Sequence, residues 1–426
     1  MVQFYDIREV SSESLSINLE NGVVEKPKYD FSKSKGFRVL KSGFWGLFFG
    51  NVEDKVGLGL AEKNIVGEGD AEVIGIKSEG KFVFKPKINP KDVDIEEKIK
   101  LLKDIENVLK DSKIVSTRIA YLENVRKFFY KDSNGSKAYY EVPRIGIIIH
   151  AFAKNKTLQF YSKRLLKVAG FEVFDDEPFE LAEEVKNVLN KLVNAKTPPS
   201  GEMNVIMDSS LAGVFIHEAF GHAVEADHVL KNSSVVADKL NAKVADESVN
   251  VYDDPNIQEF GFYPFDDEGV KAEKKAIIEN GILKSFLHSK ETAAKLNSKA
   301  GNARAQGVDE PLVRMSNTYI DEGEYEFDEL LEDAEIYLVG SRGGETNPAT
   351  GYFHFNAQYG YIVENGEISE MVRDVSLSGN TLKILHSIKV GKGIKFDPGF
   401  CGKAGQLVPV ADGSPPSLVK AFVGGA

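Results

Sequence analysis

The sequence predicts an α+β fold in two parts, an N-terminal α+β domain over residues 1–196 and a β-rich domain over residues 202–426. Three observations predict it. Residues 1–50 read as antiparallel strands. Two amphipathic helices stand among further strands in the first half. After the second helix, Thr197-Pro198-Pro199-Ser200-Gly201 forms a linker, because prolines and glycine interrupt helix and ladder alike. Beyond it the pattern turns to short strands and glycine-rich turns. A chain of 426 residues also exceeds the ~250–300 over which one core keeps growing.

In the first half, Ser14-Leu15-Ser16-Ile17-Asn18-Leu19 alternates and runs into Glu20-Asn21-Gly22. Asn-Gly accepts the positive φ of a type I′ turn, so it marks a tight hairpin. The device recurs at Asn280-Gly281 and Asn365-Gly366, and more loosely at Asn134-Gly135. Ile95, Ile99, Leu102, Ile105, Val108 and Leu109 share one helical face, as do Phe179, Ala182, Val185, Val188, Leu189 and Leu192. Strands are expected between them, around residues 115–130 and 138–153. In the second half, Val205-Ile206-Met207-Asp208 reads as a strand that leads into a helical segment near 211–227.

Composition narrows the function. Lys plus Arg is 53 and Asp plus Glu 65, a net charge of −12 that argues against direct nucleic-acid binding. The longest apolar run, Ile145 to Ala153, is broken by His150 and falls far short of the ~20 residues of a membrane span. The first residues carry no basic stretch followed by an apolar one, so no secretory signal is read and a cytoplasmic location is expected. The single cysteine, Cys401, excludes an intrachain disulfide and leaves either an inert core thiol or a functional thiolate.

Three of the seven histidines fall between His217 and His228. The motif is His217-Glu218-x-x-x-His222. Zinc peptidases of the His-Glu-x-x-His type place both histidines on one helical face, with the Glu beside the metal. Here the spacing is one residue longer. A regular helix turns ~100° per residue, so it would point the two rings roughly 140° apart. A π-turn, or a helix loosened at Gly221, absorbs the extra residue, and such bulges concentrate at functional sites. Two histidines do not complete a catalytic zinc site, which takes about three protein ligands and a water. His228, Cys401, Glu225 and Asp227 are candidates for the third. Around Cys401, glycines let the backbone approach closely, and Lys403 favours a thiolate.

The sequence resembles the TldD/PmbA family, on the side of its TldD-type metallopeptidase subunit. The resemblance rests on the helix from His217 to Asp227, on Phe265-Asp266-Asp267-Glu268-Gly269, on Gly301-Asn302-Ala303-Arg304, and on Arg314-Met315-Ser316-Asn317. Gly343-Gly344, Phe355-Asn356-Ala357-Gln358 and the block from Asp397 to Val410 follow in family order. Two departures stand out: the chain opens on a strand instead of a helix, and one arginine stands in 301–306 where a pair is usual. The resemblance implies a β-rich, barrel-like C-terminal domain carrying a metal-binding helix. It implies a zinc-dependent peptidase in which His217, His222 and Cys401 hold Zn²⁺ and Glu218 is the general base. His228, Arg304, Tyr319 and Lys403 are candidates to meet the substrate or its oxyanion. It also implies short or unfolded peptides as substrates, and a homodimer or a heterodimer with a paralogous non-catalytic subunit. Competing readings are a regulatory protein of gyrase-modulator type without catalysis, and a metal hydrolase of another amide bond.

Overall fold

A computed structural model describes residues 1–425. The N-terminal half is built on an eight-stranded sheet. Its spine runs Phe44–Phe49, Lys28–Lys41, Val2–Glu20, Ile114–Asp132, Lys137–Lys154, with Glu79–Val83 joined parallel at the far side. The Asn-Gly turns form where the sequence places them. Asn21 and Gly22, Asn280 and Gly281, and Asn365 and Gly366 all take positive φ, whereas at the looser site only Gly135 does. The expected helices span Ile95–Val108 and Glu177–Leu192. Their apolar faces bury Leu102, Ile105, Ala182, Val185 and Leu189 with Ile17, Leu19, Ile119, Ile147 and Ile149 of the sheet.

One helix, Asp54–Lys63, escaped the sequence reading. Its two glycines weaken helix propensity by about 1 kcal/mol each. Packing overrides that cost, because a Cβ at Gly57 would lie 2.4 Å from the Phe37 ring. The helix needs glycine to sit on the sheet.

The C-terminal half holds a closed five-stranded barrel. Gly201–Met207 pairs parallel with Ile336–Asn347 and antiparallel with Ser417–Gly425. Val375–Asn380 and Tyr352–Glu364 complete the ring back to Ile336–Asn347. Several of these strands are long, against the expectation of mostly short ones. A six-stranded sheet stands beside the barrel, and its last two members are Gln406–Ser414 and the edge strand Lys395–Lys403. The helical segment after Asp208 buries Leu211, Ala212, Phe215, Ile216, Ala219 and Phe220 in one cluster with the barrel residues Leu338, Phe355, Leu377, Val419 and Val423. A helix that is apolar nearly all round must be enclosed, and the barrel encloses this one.

The two halves meet across buried charge. Arg38 of the N-terminal sheet pairs with Asp6 and, at 2.9 Å, with Glu268 of the second half. Lys290 reaches back to Asp132 at 2.9 Å. Removing one partner of a buried pair strands the other charge, at a cost of roughly 3–5 kcal/mol. Glu268→Ala leaves Arg38 paired with Asp6 and strands only the Lys290 amide, so it is expected to lower the free energy of unfolding by a smaller amount, about 1–3 kcal/mol. A urea unfolding midpoint equal to that of the unaltered protein would show that the bridge contributes nothing.

Candidate metal centre

The histidine segment changes helical type as it advances. Ser209–Val214 is α-helical, capped by Asp208, whose carboxylate accepts the Leu211 amide at 2.8 Å. Phe215–Phe220 is π-helical and Gly221–Val224 is a 3₁₀ turn. The π-turn carries the extra residue between His217 and His222, so both rings reach one place. Their centroids lie 5.4 Å apart with planes crossed at 86°. Gly221 is needed at the exit, since a Cβ there would fall 2.1 Å from the Met315 sulfur.

Cys401 reaches the same place from the edge strand Lys395–Lys403. Its Sγ is 3.5 Å from His222 Nε2, and one ligand atom each of His217, His222 and Cys401 lies within 4.8 Å of the others. Fully buried Arg314 donates to the Cys401 carbonyl and fixes the strand behind the thiol. The turn that follows, Ala404-Gly405, takes positive φ at both positions, which lets the hairpin double back.

Each imidazole has a carboxylate behind it. His222 Nδ1 lies 3.0 Å from Glu225 Oε2, and His217 Nδ1 lies 2.6 Å from Asp412 Oδ1, although the second contact is off-axis for a hydrogen bond. Such carboxylates set the ring tautomer and orient the other nitrogen toward a metal. Asp412 gets this close because Gly213, one helical turn before His217, lets the helix approach its strand. A Cβ at Gly213 would stand 2.7 Å from the Asp412 carbonyl oxygen. His217 Nε2 is buried and has no hydrogen-bond partner. A buried orphan nitrogen is costly, and beside a second imidazole and a thiol it fits a metal ion. A Cys-His₂ donor set suits zinc.

The electrostatics of the metal-free site agree. Burial alone would lower the His222 pKa, but Glu225 and Cys401 together raise it to about 10. Burial works against the charge on His217 too, and is outweighed by Asp412 and Cys401, which raise its pKa well above the ordinary value. Burial lifts the Asp412 carboxyl as well. Burial would raise the Cys401 thiol, but the two histidines lower it to about 5. The thiol and the two imidazoles thus pull one another toward their charged forms.

The other predicted residues divide. Glu218 is beside the cluster, its carboxylate 3.6 Å from His222 Nε2 and its side chain 40% exposed. His228 stands 3.7 Å from Glu225 and is partly exposed. Lys403 contacts Glu225 and Asp227. Arg304 is not brought to the cluster; it is buried, gives a hydrogen bond to the Met315 carbonyl at 2.7 Å and stacks over Tyr263. Tyr319 packs between Tyr252 and Phe396, under Lys274, and is not brought there either. Asp412 escaped the sequence reading. It sits on an ordinary strand, and no local pattern ties it to His217.

Models of three PmbA/TldA metallopeptidase domains match the chain: domain 1 over residues 5–63, the central domain over 88–193 and the C-terminal domain over 200–425. A protein of Archaeoglobus fulgidus named "Metalloprotease" is 62% identical over the full length of both chains. A protein of Saccharolobus solfataricus named "Zinc metalloprotease TldD homolog" is 41% identical over 60% of this chain and 58% of its own. Among solved structures, a candidate modulator of a DNA gyrase from Thermotoga maritima superposes with a TM-score of 0.82 at 25% identity, covering 99% of this chain and 96% of its own.

Two outcomes follow from the geometry. With both imidazoles pulled toward protonation by their acidic neighbours, zinc binding is expected to release protons. Calorimetric titration in buffers of different ionisation enthalpy reads that release, and the apparent affinity is expected to fall as pH is lowered. Binding without proton release would contradict the charge assignment. Gly213→Ala pushes the helix off the Asp412 strand, and overpacking of this kind costs about 1–3 kcal/mol. Thermal unfolding together with zinc content should both decline.

Proposed function

The chain belongs to the PmbA/TldA metallopeptidase family, and on that premise we propose that it is a zinc-dependent peptidase acting at His217, His222 and Cys401. The observation that carries the reading is the pair of carboxylates behind the imidazoles, which leaves both Nε2 atoms and the Cys401 thiolate facing one another. When bound, zinc supplies a Lewis acid that acidifies water and polarises a carbonyl.

The chain's own groups do the rest. Glu225 and Asp412 hold the rings in place from the Nδ1 side. Glu218, on the exposed side of the cluster, takes the proton of the attacking water and passes it to the leaving amine. His228, partly exposed beside Glu225, is the side chain left to meet the substrate. Arg304 and Tyr319 are engaged elsewhere and are not assigned this role.

Substrates are short or unfolded peptides. The edge strand Lys395–Lys403 supports this, because an extended peptide can add to a sheet edge by main-chain hydrogen bonds that read little sequence. The enzyme acts as a homodimer or beside a paralogous non-catalytic subunit, in the cytoplasm. Among the described residues no helix is long and apolar enough to cross a membrane.

Purified protein is expected to hold one zinc per chain and to digest a peptide library, with loss on chelation and recovery on adding zinc. Glu218→Ala should retain the zinc and lose about 10²–10⁴-fold in rate. His222→Ala and Cys401→Ser should lose the metal itself. Full metal and activity in Cys401→Ser would overturn the ligand set. Indifference to chelation would favour a regulatory protein without catalysis, and cleavage of non-peptide amides alone would favour a different hydrolase.

A further inference from the structure

Lys403 lies two residues beyond Cys401, where it could be taken for a donor to the substrate. Its contacts say otherwise. The ammonium donates to Glu225 Oε2 at 2.9 Å, to Asp227 Oδ1 at 2.9 Å and to the Val313 carbonyl at 3.1 Å. An ammonium has three donors, and all three are used. None is left for an oxyanion.

The oxygen it holds is the one behind His222. Glu225 Oε2 accepts from both Lys403 and His222 Nδ1, while Glu225 Oε1 is buried with no partner. Glu225 itself is fully buried. A buried carboxylate without adequate countercharge is costly and will turn toward water. That change would remove the acceptor that orients His222. Val313 precedes Arg314, whose guanidinium grips the Cys401 carbonyl. The hairpin tip and the histidine segment are thus tied to one short stretch of backbone.

We infer that Lys403 is a positioning residue for the centre. By neutralising Glu225 and tying it to Asp227 and Val313, it keeps the His222 acceptor in place and so aims Nε2 at the metal position. The inference rests on the reading of this centre as a zinc site.

Its test measures zinc affinity by competition with a chelator of known strength, in the full-length protein. Lys403→Ala is expected to weaken zinc binding by about 10–100-fold, the usual effect of losing an outer partner. Glu225→Gln should do the same, and the double variant should be no weaker than either single one, because both act through one contact. Ethylammonium in the buffer should restore part of the affinity of Lys403→Ala and none of that of Glu225→Gln. Lys403→Gln, nearly equal in length, guards against misfolding of the alanine variant. A metal-independent reading comes from the low-field Nδ1 proton of His222 in protein labelled at histidine, expected in the unaltered chain and lost in the Lys403 variants. Unaltered affinity in both Lys403 variants, or penalties that multiply in the double variant, would overturn the inference. Failure of the unaltered protein to bind zinc would instead sink the functional reading, and the ring proton would still decide whether Lys403 holds His222.

Discussion

The centre depends on one constraint: an imidazole buried in a protein core must have its second nitrogen held. His217 and His222 lie among apolar side chains, and each has a carboxylate at Nδ1. The surrounding architecture serves these contacts. Gly213 brings the Asp412 strand against the helix, Gly221 lets the segment pass Met315, and the π-turn presents both rings on one side. The carboxylates in turn need their own support, which for Glu225 is Lys403. The chain thereby supplies oriented donors before any metal arrives, and ordering costs are met by folding in place of binding.

Much of this was legible in the residues, for reasons that are local. The Asn-Gly turns, the two amphipathic helices and the strands they separate follow from backbone preference and periodicity. The His217–His222 spacing pointed to a π-turn or a helix loosened at Gly221 if the two rings were to meet, and the segment takes the π-turn. Cys401 came to the site through resemblance alone, since composition and spacing left it level with His228. Asp412 stayed hidden because its partner is nearly two hundred residues away in sequence and its strand looks like any other. The Asp54–Lys63 helix stayed hidden because its glycines speak against a helix until Phe37 is seen beneath Gly57. In both cases a long-range contact decides, and no window of sequence contains it.

The residues singled out as substrate partners divide for the same reason. An arginine in a glycine-rich loop looks available, yet Arg304 is buried and bonded to a backbone carbonyl. Tyr319 is enclosed by other aromatic rings. What decides whether a charged side chain can reach a substrate is whether its donors are already satisfied, and that is a property of the folded surroundings.

The order in which the chain is completed gives the barrel a further meaning. The helix that carries both histidines is enclosed partly by Ser417–Gly425, which pairs with Gly201–Met207 and closes the ring. Cys401 and Asp412 are likewise near the end of the chain. During synthesis, a polypeptide that has reached residue 400 therefore has His217, Glu218 and His222 but neither Cys401 nor the closed barrel. The cluster is therefore assembled only when the last strand has closed the ring, so the topology makes the site a late product of folding.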